Sequence, residues 1–266
     1  MPHITVNGID HHYRIEGPEG VPVLTLAHAQ GFTLDSWAAQ IDHFAGRCRV
    51  LALDLRGHGG TAMAGAAYQI EDLAADIVAL LNVLGIERTH YVGASLGGMA
   101  GFALALDHAD RLRSVTFVTT QGILPQASID GQRTTTEVMR RDGAEARVDA
   151  ILERYLRDGY RENCPDSYAE LRRQFLDVPV EGYAEAGAAI FAMDFDGRIG
   201  AINLPTMVIA GEHDIATTPD RMALYRDGIP GARMDIVENA GHMPYVEEAD
   251  AFNAVLAGFL DLQPKD

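Results

Sequence analysis

Cysteine is scarce in this chain of 266 residues, which contains only Cys48 and Cys164. Two cysteines do not make a disulfide framework, so we expect a reducing compartment, the cytoplasm. The N-terminal segment lacks the basic residues and the apolar core of a signal peptide. No apolar run approaches the roughly 18 residues that a membrane span needs. We therefore predict a cytoplasmic protein that has no membrane partner.

Positive charge is also in short supply, with 21 lysines and arginines against 38 aspartates and glutamates and a formal net charge of −17. Such a surface would repel the phosphates of a nucleic acid, so we exclude nucleic acid as a partner. A small anionic ligand is not excluded, because a local cluster of arginines can reverse the potential. The hydrophobic share of 47% and the charged share of 22% are ordinary for a globular domain.

Short apolar runs alternate with segments of helical spacing along most of the chain. Eight runs are predicted strands: 4–6, 11–15, 21–27, 49–53, a run that ends at 92, 112–118, 206–210 and 233–237. The first two flank Asn7-Gly8, a turn that favours an antiparallel hairpin at one sheet edge. Helices are predicted after Leu96 and at 36–44, 70–84, 219–226 and 247–262. This alternation predicts an α/β fold with a mostly parallel sheet and helices on both faces.

The pattern changes between residues 121 and 199, where the sequence is helical in character and has no strand signal. We interpret this segment as a helical insertion that lies over the carboxyl edge of the sheet as a lid. The α/β core domain then consists of residues 1–120 and 200–266. The insertion is charged, with arginines that include Arg133, Arg140, Arg141, Arg147, Arg154, Arg172 and Arg173. The alternative interpretation is that they are the solvated faces of ordinary helices.

The sequence Gly93-Ala94-Ser95-Leu96-Gly97 directly follows a predicted buried strand and opens a predicted helix. A serine in that context lies on a sharp, strained turn that lifts its hydroxyl above the sheet. Side chains two residues before or after it would collide, which explains the two outer glycines. The positive end of the helix dipole points at the serine and favours a developing oxyanion. The alternative is a plain strand–helix turn with a capping serine.

Ser95, Asp214 and His242 each follow the carboxyl end of a predicted strand. In doubly wound sheets these ends meet at one edge and build the ligand site. The three residues also occur in the order Ser, Asp, His that a catalytic triad on such a turn requires. We predict that His242 takes the proton of Ser95 as general base, and that Asp214 orients the imidazole and stabilises its charged form.

Other residues compete for these roles. The rival histidines are His28, His58, His90, His108 and His213, of which the first two lie on loops at the same sheet edge. His213 adjoins Asp214 but would point away from it on an extended segment. Asp54 also follows a strand, but with Arg56 it is interpreted as a structural anchor of its loop.

An oxyanion hole needs two N–H donors near the nucleophile. We assign one to the backbone of Leu96, directly after Ser95. The other is assigned to Gln30, in the loop after the strand 21–27. The alternative for that loop is a simple reversal of the chain.

The substrate pocket is predicted from the loops and helices around the serine. Arg133 or Arg140 in the insertion is predicted to pair with a substrate carboxylate. We also assign Trp37, Gln121 and Met243 to the pocket. We predict no metal site and no cofactor.

The chain resembles α/β-hydrolase-fold enzymes across its whole length. The segments that carry the resemblance are the serine motif, His28-Ala29-Gln30-Gly31 before Trp37, Asp54-Leu55-Arg56-Gly57-His58-Gly59, Gly211-Glu212-His213-Asp214 and Ala240-Gly241-His242. The resemblance implies the α/β-hydrolase fold, with an eight-stranded sheet and a helical lid.

More narrowly, the chain is similar to the 3-oxoadipate enol-lactonases of aromatic catabolism. The similar segments are 142–156, 182–194, 204–211 and 229–233. Two departures concern the pocket. The oxyanion loop of those lactonases usually reads Ser-Asn-Ser-Leu-Gly, whereas residues 27–31 here read Ala-His-Ala-Gln-Gly. Their lid usually carries a tryptophan near the place of Gln132, whereas the single tryptophan here is Trp37.

The residues and the resemblance together predict a cofactor-independent serine hydrolase of a small carboxylic ester or lactone. Its partner is that small-molecule substrate, and a homodimer is compatible with the sequence. Three alternatives stay open: a carbon–carbon bond hydrolase of a vinylogous diketone, a perhydrolase or haloperoxidase-like esterase, and a non-catalytic ligand receptor. Dehalogenases and epoxide hydrolases are disfavoured because they carry an aspartate at the position of Ser95.

Overall fold

The computed structural model describes residues 2–261 and contains one sheet of eight strands. In chain order they are β1 (His3–Val6), β2 (Ile9–Glu16), β3 (Val23–Ala27), β4 (Arg49–Leu53), β5 (Thr89–Ala94), β6 (Leu112–Val118), β7 (Thr206–Gly211) and β8 (Arg233–Val237). Their order across the sheet is β1-β2-β4-β3-β5-β6-β7-β8. Strand β2 pairs antiparallel with β1 and β4, and the remaining neighbours are parallel. The predicted fold class is confirmed.

Six helices flank this sheet in the core domain. They are α1 (Ala38–Phe44), α2 (Ile70–Val83), α3 (Leu96–Asp107), α9 (Pro219–Gly228), α10 (Pro244–Glu247) and α11 (Ala249–Leu260). The numbers between α3 and α9 belong to the helices of the insertion. The predicted helix 36–44 begins instead as a 3-10 turn, Leu34–Trp37. The predicted closing helix 247–262 is divided because Glu248, at φ −135°, leaves the helical conformation. Its last predicted residue lies outside the described residues. Within residues 2–261, no helix is both long and apolar enough to cross a membrane.

The central strands are buried on both faces, which explains their continuous apolar runs. All six residues of β5 and all six of β7 are buried. Apolar side chains of α2, α3 and α9 cover one face of the sheet, and those of α1 and α11 cover the other. Burial of this apolar surface stabilises the sheet by about 25 cal/mol per Å², and it fixes the loops at the carboxyl ends of the strands.

The helical insertion, residues 121–199, contains five α-helices and, within its described residues, no strand. They are α4 (Gln126–Asp142), α5 (Val148–Tyr155), α6 (Tyr160–Asn163), α7 (Pro165–Asp177) and α8 (Val180–Ala192). Its apolar side chains share a buried cluster with the core domain, in which Leu152 and Phe175 of the insertion join Phe32 of the core. The insertion is therefore packed on the carboxyl edge of the sheet.

Asp54 and Arg56 hold the loop after β4 through separate partners. The Asp54 carboxylate accepts the backbone N–H groups of Leu34 at 2.7 Å and Gly60 at 2.9 Å. Arg56 donates two hydrogen bonds to Asp76 on α2, at 2.5 and 2.9 Å. Both residues have the structural role that the sequence suggested.

Asp76 is buried, with 3% of its side chain exposed. Burial opposes its ionised form, but hydrogen bonds from Arg56, His11 and Asn7 outweigh this effect and lower the pKa of Asp76. The ionised carboxylate therefore stabilises the contact between α2, the loop after β4 and the first hairpin.

Replacing Asp76 by Asn should lower the free energy of unfolding by about 3 kcal/mol at pH 7, because the Arg56 guanidinium loses its counter-charge in a buried place. Since the folded-state pKa of Asp76 is lowered, this contribution is full above the ordinary carboxyl pKa of about 4 and is lost as the pH falls through the folded-state value. Urea unfolding at pH 7 and at decreasing pH measures both effects. The exposed Asp110→Asn is the control, and native-like stability of Asp76→Asn at pH 7 would contradict the assignment.

Candidate active site

Ser95 lies at the sharp turn between β5 and α3, in a backbone conformation that side chains rarely adopt. Its φ is +47° and its ψ −108°. Its N–H donates to Val118 O at 3.0 Å, and its carbonyl accepts the Thr120 hydroxyl at 2.7 Å. These bonds hold the strained conformation in place, as is typical of functional residues. Ser95 is only half-buried between fully buried neighbours, so its hydroxyl can be reached.

The two outer glycines of this turn have the steric role that the sequence predicted. A Cβ atom at Gly93 would lie 2.2 Å from the Gly97 carbonyl oxygen, and one at Gly97 would lie 2.3 Å from the Ala27 carbonyl oxygen. Either methyl group would therefore force α3 away from the sheet. The close approach brings the first turn of α3 beside the end of β3.

Asp214 and His242 form a buried hydrogen-bonded pair above the ends of β7 and β8. Asp214 Oδ2 lies 2.7 Å from His242 Nδ1, and the two residues are 2% and 3% exposed. The other carboxylate oxygen accepts the N–H groups of Ala216 at 2.7 Å and Thr217 at 2.9 Å. This arrangement assigns the proton to Nδ1 and leaves Nε2 as a proton acceptor.

The loop that carries His242 is held by the insertion as well as by the core. The His242 N–H donates to Tyr155 O at 2.5 Å, and the His242 carbonyl accepts the Thr119 hydroxyl at 2.8 Å. The rings of Tyr155 and His242 are 4.6 Å apart between centroids. The position of the imidazole therefore depends on the end of α5.

Glu247 ties the same loop together from below. One carboxylate oxygen accepts the N–H groups of Gly241 at 3.0 Å and Met243 at 3.1 Å, on either side of His242. The other accepts the N–H of Arg157, in the insertion, at 2.8 Å. Burial raises the pKa of Glu247, although these three N–H groups act in the opposite direction. The role of Glu247 could not be predicted from the sequence, because its spacing from His242 carries no chemical signal.

Ser95 and His242 line one cavity of about 130 Å³ between the core domain and the insertion. Among residues 2–261, no hydrogen bond joins the serine hydroxyl to the imidazole. In unliganded active sites such bonds are often long and tighten only when substrate binds. The cavity therefore contains both the predicted nucleophile and the predicted base, and we expect their hydrogen bond to form when substrate binds.

The two backbone N–H groups predicted for the oxyanion hole belong to Leu96 and Gln30. Leu96 is the first residue of α3, so its N–H has no partner within the helix. Neither this N–H nor that of Gln30 donates to an acceptor within the described part of the chain. Gly97 N donates to His28 O at 3.1 Å, which holds the two segments together. Gln30 lines the cavity beside Ser95.

The residues predicted for substrate binding separate into two groups. Gln121 lines the cavity. Trp37 does not, because it is fully buried in the core and stacks on Tyr245 at 3.9 Å. Met243 is fully buried beneath the histidine loop and is likewise absent from the cavity wall.

The two predicted arginines also lie outside the cavity. Arg140 is exposed and pairs with Glu181 on α8 at 2.6 Å. Arg133 is exposed and lies over the ring of Phe191 at 5.3 Å. Successive residues of a helix point about 100° apart, so α4 directs Gln132 into the cavity and turns Arg133 away from it.

Arg147 and Arg154 line the cavity instead, from the beginning and the end of α5. Arg147 donates a 3.3 Å hydrogen bond to the Thr135 hydroxyl, and its Nε is buried without an acceptor. Within residues 2–261, no carboxylate forms an ion pair with either arginine. Both are among the arginines noted in the sequence, but selecting them requires knowledge of which side of α5 faces the cavity.

The rival histidines at this edge have structural roles. Burial lowers the pKa of His28, whose Nε2 accepts the Leu55 N–H at 2.9 Å. Burial, and then the neighbouring His28, lower the pKa of His58 to about 3. Both imidazoles are therefore neutral at physiological pH. His90 bonds Ser114 at 2.8 Å inside the sheet, and His213 is exposed.

Comparisons with known proteins agree with this architecture. The model of the alpha/beta hydrolase fold family matches residues 22–249. The 3-oxoadipate enol-lactonase 2 of Acinetobacter baylyi is 28% identical over 250 residues, covering 94% of this chain and 92% of that protein. A candidate carbamate hydrolase, RutD, of Variovorax paradoxus is 32% identical over 257 residues, covering 94% and 95%.

A solved structure gives the same result. The crystal structure of the enol-lactonase from Burkholderia xenovorans superposes with a TM-score of 0.94 at 35% identity, covering 98% of this chain and all of that one. The family predicted from the sequence motifs is confirmed. The chain belongs to the α/β-hydrolase family, close to the 3-oxoadipate enol-lactonases, and it is a hydrolase.

Proposed function

We propose that this enzyme is a cofactor-independent serine hydrolase that cleaves a small carboxylic ester or lactone through an acyl-enzyme on Ser95. The observation that carries the proposal is the buried Asp214–His242 pair, whose histidine lines the same cavity as a strained serine. The enol-lactonase names of the relatives support a lactone as the substrate. A place in the catabolism of aromatic compounds would follow from such a substrate.

The geometry supports a two-step mechanism. His242 Nε2 takes the Ser95 proton as Oγ attacks the carbonyl carbon, and the N–H groups of Leu96 and Gln30 bind the resulting oxyanion. The imidazolium, stabilised by Asp214, then protonates the leaving oxygen as its bond to the acyl carbon breaks. A water molecule deprotonated by His242 then attacks the acyl carbon, and the imidazolium returns the proton to Ser95 Oγ as the bond between Oγ and the acyl carbon breaks, which releases the free acid and restores the enzyme. In a lactone, the leaving oxygen stays attached to the product.

The cavity supports a substrate whose acyl part carries a carboxylate. Arg147 and Arg154 offer guanidinium groups to a space that the serine also faces. In a protein of net charge −17, two cations without carboxylate partners at a cavity wall create a local site for an anion. The volume of about 130 Å³ favours a small molecule.

We also propose that the helical insertion acts as a lid over this cavity. The insertion supplies Gln121, Gln132, Arg147 and Arg154 to the cavity wall, while the core domain supplies the nucleophile and the base. A closed lid would exclude water from the developing oxyanion and strengthen its hydrogen bonds.

A small carbamate is the second candidate substrate, supported by the relative from Variovorax paradoxus. The same serine would attack the carbamate carbonyl, and the same oxyanion donors would act. Purified enzyme incubated with matched lactones, esters and carbamates distinguishes the two, since rates and products are measured on one cavity.

Replacing Ser95 by Ala should lower kcat/KM for a lactone or aryl ester by at least about 10⁴-fold, because no nucleophile remains. Release of the acid, followed by pH-stat titration, is the measurement. Circular dichroism and thermal melting establish that the variant is folded. A folded variant that keeps a substantial part of the native rate would overturn the serine mechanism.

Replacing Arg147 or Arg154 by Met should raise KM about tenfold for a carboxylate-bearing ester, because a charge-assisted hydrogen bond contributes about 1.5–3 kcal/mol. The methyl ester of the same acid, which lacks the charge, should be hydrolysed with an unchanged KM. Arg141→Met is the matched control, since that exposed residue pairs with Asp142 on the outside of the insertion. Equal effects on the charged and neutral substrates would contradict the proposed anion site.

A further inference from the structure

The Gln30 side chain joins the oxyanion loop to two helices of the insertion. Its Nε2 donates to the Tyr183 carbonyl of α8 at 2.8 Å, and its Oε1 accepts Nε2 of Gln132 on α4 at 2.5 Å. Gln30 is 3% exposed. Water therefore competes little for these bonds, and breaking one leaves a buried polar atom without a partner.

Aromatic contacts from the insertion hold the same loop. The Phe32 ring meets Phe175 of α7 edge-on at 6.2 Å and the Tyr155 ring of α5 at 6.3 Å. Gly31 adopts φ +84°, and a Cβ atom there would lie 2.6 Å from the Phe175 ring. The loop thus contacts the insertion on one side, while the Gly97–His28 bond holds its first residue to the core.

We propose that Gln30 and Gln132 are positioning residues, whose hydrogen bond orients the Gln30 backbone N–H toward the oxyanion. This inference rests on the proposed function, in which that N–H is one of two oxyanion donors. The negative charge on the carbonyl oxygen develops in the transition state, so the bond acts on kcat more than on substrate binding. The insertion, when packed on the core domain, then contributes to catalysis as well as covering the cavity.

The two glutamines also lie in the two segments in which the sequence departs from the enol-lactonase pattern. One replaces a residue of the usual oxyanion loop, and the other stands near the usual lid tryptophan. Here each is the hydrogen-bond partner of the other, at 2.5 Å. The two departures therefore form one interaction that spans the cavity wall.

The test is a double-substitution cycle of Gln30→Met and Gln132→Met on a neutral aryl ester. Each single variant should lower kcat about tenfold, because a small misplacement of a catalytic group costs one to two orders of magnitude. KM should change less than about twofold, since uniform substrate binding is unaffected. The double variant should be no slower than Gln30→Met alone, because both substitutions remove the same interaction.

Inhibition by phenylboronic acid supplies a readout that a loss of stability would not move. Its tetrahedral adduct with the serine places an oxygen in the oxyanion hole, so its inhibition constant should rise in parallel with the fall in kcat. Gln126→Met is the matched control. That glutamine lies on α4, the helix of Gln132, is exposed, and donates a side-chain hydrogen bond to Asp130 at 2.8 Å.

Thermal melting shows which variants are folded. If Gln132→Met does not fold, Gln132→Leu takes its place, because Gln132 is only half-buried. A native kcat in folded Gln132→Met, additive losses in the double variant, or an effect on KM alone would each overturn the inference. Failure of the proposed function has a different signature. In that case phenylboronic acid would not inhibit even the native enzyme, and Ser95→Ala would stay active.

Discussion

The hydrogen bond between Asp214 and His242 is the interaction on which the site depends. It joins loops that follow two neighbouring strands, and it needs a carboxylate that is held without being neutralised. The N–H groups of Ala216 and Thr217 hold one oxygen of Asp214 and leave the other for the imidazole. The imidazole lines the same cavity as Ser95, where the proposed mechanism uses its Nε2 as the base. The twist and register of the sheet matter to function because they bring these two loops together.

The helical insertion is built into this site. It contributes the Tyr155 carbonyl and the Arg157 N–H to the histidine loop, and Gln132 to the oxyanion loop. His242, the proposed base, and Gln30, a proposed oxyanion donor, both belong to the core domain. The loop of each is hydrogen-bonded to the insertion. A movement of the insertion would change both at once, so access of substrate and readiness for chemistry are physically linked.

Sequence reasoning succeeded where a local pattern carries a steric or topological reason. The serine turn was recognisable because residues 93 and 97 must be glycine. A Cβ atom at either position would lie only 2.2 or 2.3 Å from a backbone oxygen. Asp214 and His242 could be predicted to lie together because parallel strands end at one edge, and the structure joins them by a hydrogen bond. The arginines of the cavity wall were not predictable, since choosing Arg147 and Arg154 over Arg133 and Arg140 needs the rotation of each helix about its axis. Trp37 shows the same limit, because its indole packs into the core although its loop borders the site.

The rate at which a fluorophosphonate modifies the serine tests the central claim most directly, because the reagent needs a deprotonated nucleophile and no particular substrate. Peptide mapping of the native enzyme should find the adduct on Ser95 alone. In Asp214→Asn, which keeps the shape of the pair but favours the wrong tautomer of His242, the reaction should slow by at least about 100-fold. An adduct on another residue, or equal rates in the two proteins, would contradict the claim that Asp214 and His242 activate Ser95.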